Sequence, residues 1–349
     1  PRTNLAVVSW PPTTKEKLFV HWHYWWQAHY LDCLVDAALR NNTKVRRHRI
    51  YDTLRGIRIR NLAQLTKNKY YDDKAWLALA FGRVEGLKKA KTPKRLAALQ
   101  RNIHESLDET LGVLPWRLGE NFMNVPSNGP GAIMLARMGR IEEARRIVDW
   151  IYDHLLDDDG YIMDGVRMRM DGPEVVKNIH PYCQGVVLGL EVELAVRTGD
   201  PRHAERVHRL VAAVKDHMLD DGVIRGAGGG DGGLFGAILA RYLTLVATTL
   251  PGDTEDDDTA RTTARELVLK SAQSAWDYRQ SVNGIPLFGA FWDRAAELPN
   301  TGETAKSVDG AVNSSDIAER DLSVQVAGWM LMEAAHALTA ETETEAEGP

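Results

Sequence analysis

ARMGRIEEARRIVDWIYDHLLDDDGYIMDG (residues 136–165) and AVRTGDPRHAERVHRLVAAVKDHMLDDGVIRG (residues 195–226) carry one pattern twice. Each closes a helix on Gly, starts a capped helix, and runs through Asp-His-Leu/Met-Leu-Asp-Asp into a glycine loop. A third version ends at SVNGIPLFGAFWD (residues 281–293). A unit of roughly 60 residues, repeated about six times, would fill the chain, and such repetition marks stacked helical hairpins. If the units close into a ring, their Asp-, Gly- and aromatic-rich loops gather at one mouth.

The rest of the chain agrees with helices. Trp22, Trp25, Trp26, Tyr30 and Leu34 recur at spacings of three and four across 21–40, and Leu77, Phe81 and Val84 do so across 73–90. Residues 141–156 and 201–219 repeat the pattern. Tracts of alternating Val, Ile and Thr are scarce. The expectation is an all-α protein with short irregular loops and no dividing linker. It would be one domain over 1–349, with a core of about 18–338 and flexible tails. PGDTEDDDTARTT (251–263) reads as a mobile surface loop and ETETEAEGP (341–349) as a disordered end.

Composition narrows the function classes. Of 349 residues, 44% are hydrophobic and 26% charged, enough for a large core and a solvated surface. A net charge of -5 argues against a nucleic-acid partner. Cys33 and Cys183 sit in apolar segments and read as buried free thiols. No uninterrupted apolar run reaches the ~18 residues that span a membrane. PRTNLAVVSWPPTTKEK lacks the form of a signal peptide. That favours the cytoplasm, with a processed or truncated secreted form as the alternative.

The chemistry concentrates in YYDDKAWLALAF (70–81). Asp72 and Asp73 stand side by side between tyrosines and an apolar helix. One Asp serves as a helix cap. A second must justify repelling the first. Like charges in contact hold a proton between them, the split that an acid-plus-nucleophile pair needs. Glycoside hydrolases use two carboxylates in this way, and neighbouring aromatics suit sugar faces.

Other chemistries fit less well. Trp76 and Leu77 stand where a diphosphate-metal helix would need another carboxylate. LDDDG (156–160) lacks the alternation of a calcium loop. His21 and His23 face apart on a helix, which disfavours zinc. GAGGGDGG (226–233) has no preceding strand and no Gly-Lys-Ser/Thr, so it reads as a close-approach loop placing Asp231 at a helix head. No metal or cofactor is expected.

Taken together, these segments resemble glycoside hydrolase family 76, the endo-α-1,6-mannanases, over roughly residues 18 to 338. YYDDKAWLAL is similar to the family's Tyr-Tyr-Asp-Asp-x-x-Trp segment. HYWWQAHYLDCLVDA (23–37) is similar to its first helix, in an actinobacterial style. Asn128-Gly129-Pro130 resembles an Asn before a helix of small residues, and GYIMDGV (160–166) an Asp-Gly loop. Tyr182-Cys183-Gln184-Gly185 resembles Tyr-Asn-Gln-Gly with Cys in place of Asn. GGDGGLFGAILARYL (229–243) and AERDLSVQVAGWMLMEAA (318–335) resemble later segments.

The resemblance implies an (α/α)6 barrel and a retaining mechanism, with Asp72 as nucleophile and Asp73 as acid/base. It further implies substrate contacts from Tyr71, Trp76, Asn128, Asp164, Tyr182, Gln184 and Asp231. Trp76 has core packing as an alternative, and Asn128 and Asp231 have helix capping. The implied partner is an α-1,6-mannan oligosaccharide or polysaccharide bound by a monomer. A transglycosylase and a non-catalytic mannan-binding protein are the alternative functions. TKVRRHRIYDTLRGIRIRNLAQLTKNK (43–69) holds many cations and one acid, Asp52. It reads as a solvated face, or as a patch making weak contact with an anionic glycolipid.

Overall fold

The chain folds, in a computed structural model describing residues 3–84, 87 and 93–346, into two compact units. In chain order the helices are α1 (Thr14–Lys17), α2 (Tyr24–Arg40), α3 (Lys44–Arg60), α4 (Tyr71–Val84), α5 (Pro93–His104) and α6 (Val125–Arg137). They continue as α7 (Ile141–Leu155), α8 (Pro181–Thr198), α9 (Pro201–His217), α10 (Phe235–Thr249), α11 (Glu255–Asp277) and α12 (Leu322–Ala346). The expected 73–90 helix is α4 as far as Val84, and the residues that follow it lie largely outside those described.

The first unit is built mainly from His23–Asp158 and Ile162–Ile179. Here α4 packs between α2 and α6, while α3, α5 and α7 each pack outside the helix before them. The inner helices are apolar nearly all round, as helices buried on every side must be. In α6, Val125 through Ala136 are all buried. The outer α7 buries only Ala144, Ile147, Val148, Ile151 and Leu155, one stripe at helical spacing.

The second unit takes Val7–Trp22, Asp159–Tyr161 and the chain from His180. It repeats the plan, with α8, α10 and α12 in sequence inside and α9 and α11 outside. Gly185 and Gly189 set how close α8 and α10 come. A Cβ on Gly185 would lie 2.7 Å from the Leu239 Cα, and one on Gly189 would lie 2.2 Å from the Tyr242 ring. Gly230–Thr249 is long and apolar enough to cross a membrane by composition, which the sequence reading did not find. In the fold it is a core helix packed by α8, α11 and α12.

Each repeated sequence unit is an outer helix followed by short strands. After α7 comes β2 (Met163–Arg169), after α9 come β4 (Leu219–Asp220) and β5 (Val223–Ile224), and after α11 come β6 (Gln280–Val282) and β7 (Ile285–Leu287). β2 is the centre of a three-stranded antiparallel sheet between β1 (Phe122–Asn124) and β3 (Gly172–Ile179). β8 (Lys306–Val308) and β9 (Ala311–Asn313) form another hairpin.

Four expectations are corrected. GYIMDGV is not a plain loop, because Asp164 and Gly165 lie in β2, with Gly165 opposite Asn124. The acidic run is not one mobile loop. Glu255, Asp256, Asp257 and Asp258 form the first turn of α11, where their charge complements the helix dipole and Thr254 with Asp257 makes a capping box. The N-terminal stretch is not a loose tail. The Asn4 amide donates to Thr53 Oγ1 at 3.0 Å, and Val8 is buried. At the other end α12 continues to Ala346, into the stretch expected to be disordered, and residues 347–349 lie outside those described. Cys33 and Cys183 are buried free thiols, as expected.

The same substitution should act oppositely at two helical glycines. Gly185→Ala should lower stability by ~1–3 kcal/mol, because α10 backbone blocks the new methyl. Gly82→Ala, with nothing within 4 Å of the added Cβ, should raise it by ~0.5–1 kcal/mol. Urea midpoints of the two variants check this.

Candidate active site

The Asp pair opens α4, with both acids in its first turn. The helix start is pinned rather than left to fray. The Tyr71 N–H donates to the Trp116 carbonyl at 2.9 Å and the Leu118 N–H to the Lys69 carbonyl at 2.9 Å. Tyr70 and Arg117 pair as an antiparallel bridge. The segment before α4 therefore runs alongside residues 116–118, and Trp116 reaches the pair.

Each carboxylate has its own donors. Asp72 accepts the Asp73 backbone N–H on one oxygen and the Trp116 indole N–H on the other, each at 2.8 Å. Asp73 Oδ2 accepts from the Asn68 amide at 2.5 Å. Asn68 is held in turn by its Oδ1, which accepts the Tyr70 N–H at 2.9 Å. Both aspartates are half-buried. The Tyr70 ring meets Trp116 edge-on at 5.2 Å, and its hydroxyl accepts from the Arg117 guanidinium at 3.2 Å. Trp116 also stands edge-on to Phe122 at 6.1 Å.

Behind the pair lies Lys74, a lysine that is only 3% exposed. Its Nζ donates to the Asn102 side-chain oxygen at 2.8 Å and sits 3.8 Å over the Tyr71 ring. Burial pushes its pKa down to about 8, while the charges of Asp73 and Asp72 pull it back up.

Asp164 stands on β2, and burial raises its pKa to about 6, against a smaller opposing effect of Arg167. Arg167 lies 4.2 Å from the Phe122 ring centroid and pairs with Glu120 at 3.4 Å. One chain of ring and ionic contacts thus runs from Asp72 through Trp116, Phe122 and Arg167 to Glu120.

Several expected substrate contacts are corrected. Asn128 is fully buried, and backbone uses its whole amide. Its Oδ1 accepts the Leu114 N–H at 2.7 Å, and its Nδ2 donates to the Leu114 and Asn124 carbonyls at 2.8 and 2.9 Å. It lies inside α6, whose N-cap is Asn124, so it does not cap. Tyr71 and Trp76 are buried, Tyr71 under Lys74 and Trp76 against the His29 ring at 4.9 Å. Neither presents a face to a sugar. Gln184 is fully buried, its amide donating to the His180 carbonyl at 3.2 Å.

Tyr182 and Asp231 belong to the second unit. The half-buried Tyr182 stacks on Phe235 with centroids 4.0 Å apart. Asp231 stands in a 3-10 turn before α10 and accepts the Val312 N–H at 2.7 Å, tying down β9. It does not cap α10.

The sequence reading passed over Asn68, Tyr70 and Trp116. Asn68 had a local signal, since an Asn three residues before a helix start favours an Asx turn onto the N–H two residues on. Trp116 had none, lying 44 residues from the acid it touches.

Comparison with known proteins bears on the family and the fold. The model of the family described as Glycosyl hydrolase family 76 matches residues 8–325. A mannan endo-1,6-alpha-mannosidase of Candida glabrata is 27% identical over 218 residues, 58% of this chain. The match spans about half (48%) of that relative's length. The GH76A alpha-1,6-mannanase of Salegentibacter sp. HEL1_6 shares the fold with a TM-score of 0.77 and 27% identity, over 90% of each chain. An inactive variant of it, with two adjacent aspartates changed to asparagine and alpha-1,6-mannotriose bound, gives a TM-score of 0.76 and 26% identity over 91% of this chain and 90% of that one. These neighbours are helical barrels with no closed sheet, the fold class that the family resemblance implies.

Asp164 makes a testable contribution to stability. Its folded pKa of about 6 lies above the ordinary 3.8, so the folded state holds the proton more tightly. The stabilisation it confers is full below pH 3.8 and is lost as pH rises through 6. Asp164→Asn should flatten the fall in stability over that window, read from chemical denaturation at a series of pH values.

Proposed function

The chain belongs to glycosyl hydrolase family 76, and on that premise we propose that it is a retaining, endo-acting hydrolase of α-1,6-mannosidic linkages. The observation that carries this reading is the asymmetry of the adjacent acids. Both stand in the first turn of α4, but Asp72 receives an N–H donor on each oxygen, and these stabilise its carboxylate. Asp73 receives the Asn68 amide at one oxygen. The pair divides into a fixed anion and a proton carrier.

The chemistry follows. Asp72 attacks the anomeric carbon as the glycosidic C–O bond breaks, and Asp73 gives its proton to the departing oxygen. A mannosyl ester on Asp72 results. Asp73, now a carboxylate, takes a proton from water. That water attacks the anomeric carbon, the ester C–O bond breaks, and Asp72 is freed. Two inversions give net retention. As the ester forms, negative charge leaves Asp72, and the Trp116 indole holds the carboxylate in line throughout. Two carboxylates suffice for these steps, so the mechanism requires no cofactor.

For the substrate, Tyr70 and Trp116 form the aromatic surface beside the pair, replacing the buried Tyr71 and Trp76. Asp164 contributes a carboxyl to sugar hydroxyls. The partner is an α-1,6-mannan oligosaccharide or polysaccharide, bound by a monomeric single domain. Contact with an anionic glycolipid through the basic stretch 43–69 completes the partner reading.

Proton NMR of the anomeric region during turnover of α-1,6-mannotetraose tests it. An α-configured first product is expected, with turnover falling at least ~1,000-fold in both Asp72→Asn and Asp73→Asn. A β-configured first product would exclude the double displacement, and longer oligosaccharides in place of shorter ones would identify a transferase. Trp116→Phe keeps a ring and removes the N–H. It should lower kcat about 10- to 100-fold with KM little changed, because the lost bond serves the reacting acid.

A further inference from the structure

α3 carries charge of almost one sign along its whole length. Its seventeen residues carry Lys44, Arg46, Arg47, Arg49, Arg55, Arg58 and Arg60 against the single acid Asp52, in a chain whose net charge is -5. Among the described residues, no ion pair joins any of these cations to a carboxylate. Elsewhere in the same unit, arginines pair with acids, as Arg83 does with Asp32 and Asp36, and Arg117 with Glu120. Only Arg46 and Arg47 of the α3 cations make side-chain hydrogen bonds, and these go to Ala37, Asn41 and Asn42 at the end of α2.

Helix stability does not account for the cations of the first turn. That turn holds Lys44, Arg46 and Arg47 and no acid, which opposes the helix dipole. The inward face of Ile50, Thr53, Leu54 and Ile57 already secures it. The outward face is therefore not required by packing.

That face is also not simply a solvated one. Val45, Ile59 and Leu62 are 63%, 48% and 67% exposed. Val45, His48, Asp52, Arg55 and Ile59 recur at spacings of three and four, so they share one stripe, with Arg49 and Arg60 beside it. Lys67 and Lys69 extend the positive field beyond the helix and are exposed too. Cations interleaved with exposed aliphatic side chains match a lipid headgroup layer, where the cations meet phosphates and the aliphatics enter the interface. Single-stranded nucleic acid would call for exposed aromatics, and the one aromatic ring other than His48 on α3, Tyr51, is half-buried.

We propose that the outer face of α3 docks the protein on an anionic lipid surface, with Arg49, Arg55 and Arg60 on headgroup phosphates and Val45, Ile59 and Leu62 seated in the interfacial layer. This deepens the glycolipid-contact part of the reading above and does not depend on its catalytic part. A mannan carried on an anionic lipid would then be met by an enzyme already at the surface.

Co-sedimentation of the full chain with vesicles tests it without turnover. Binding to phosphatidylglycerol–phosphatidylcholine vesicles at 50 mM salt is expected, with little on phosphatidylcholine alone. It should fall about tenfold or more at 500 mM salt. The triple change Arg49→Glu, Arg55→Glu, Arg60→Glu should weaken binding about 100-fold or more, with the circular dichroism melt and hydrolysis of soluble oligosaccharide unchanged. Val45→Ser with Ile59→Ser should weaken it several-fold. Absence of wild-type binding at 50 mM salt, or full binding by the triple variant, overturns the proposal. So does a Val45→Ser, Ile59→Ser variant that binds as wild type while millimolar inorganic phosphate displaces the vesicles, since that pattern marks a free-phosphate site.

Discussion

The clamp that Asn128 places on Leu114 is the constraint on which the geometry of the proposed catalytic pair rests. Two hydrogen bonds, to the N–H and the carbonyl of Leu114, fix residue 114 against α6, and a third ties the same buried amide to the Asn124 carbonyl. Two residues on, the Trp116 N–H donates to the Phe122 carbonyl at 2.6 Å, and its own carbonyl receives the first N–H of α4. The indole is thereby held at a fixed distance from Asp72. Loss of the clamp would leave a buried backbone N–H and C=O without partners and would free the segment that aims the indole. A fully buried amide thus governs how the indole meets Asp72.

The adjacent acids raise an electrostatic question that the surroundings answer. Two carboxylates in one helical turn repel, and the repulsion grows as water is withdrawn. The fold offsets it with the helix N-terminus, the Asn68 amide and the buried ammonium of Lys74. Lys74 makes no hydrogen bond to either acid among the described contacts, so its field acts without fixing a rotamer. Its depressed pKa is the cost of keeping a cation where solvent does not reach.

What the sequence revealed depended on which physical signal each element leaves. Outer helices such as α7 and α9 announce themselves through one apolar stripe, and both copies of the repeat were recognisable for that reason. Inner helices such as α6 are buried all round and leave a run of small and apolar residues without a period. β2 and β3 were not legible, because their faces are only partly buried and MDGVRMR shows no strict alternation. The Asp pair was legible as unusual because adjacency is local. Trp116 was not, because its contact is tertiary. Asn128 was noticed as a polar residue among small ones, yet whether its amide faces backbone or solvent is decided by the 114 segment, which no local pattern specifies. Tyr71 and Tyr70 are neighbours that exchange roles for the same reason: one turns under Lys74, the other meets Trp116.

Acidic residues look alike in sequence, and the fold sorts them by what remains after their structural partners are satisfied. Asp321 is fully buried, accepting the Gly230 N–H at 2.7 Å, the Ser315 N–H at 3.1 Å and the Ser315 hydroxyl. Burial pushes its pKa up, and its hydrogen bonds oppose that rise without adding any access for solvent. Glu191 is likewise buried and is held between His203 and Arg206. Asp321 ties the glycine turn to the segment after β9, and close contact there depends on glycine, since a Cβ on Gly230 would meet the Val312 carbonyl at 2.1 Å. Asp72 and Asp73 also receive donors, but both remain half-exposed. A carboxylate that is oriented yet still reachable can take and give a proton to a bound molecule, whereas one enclosed by its partners can only hold the chain in place. That difference in residual access separates the proposed catalytic pair from the other buried acids of this protein.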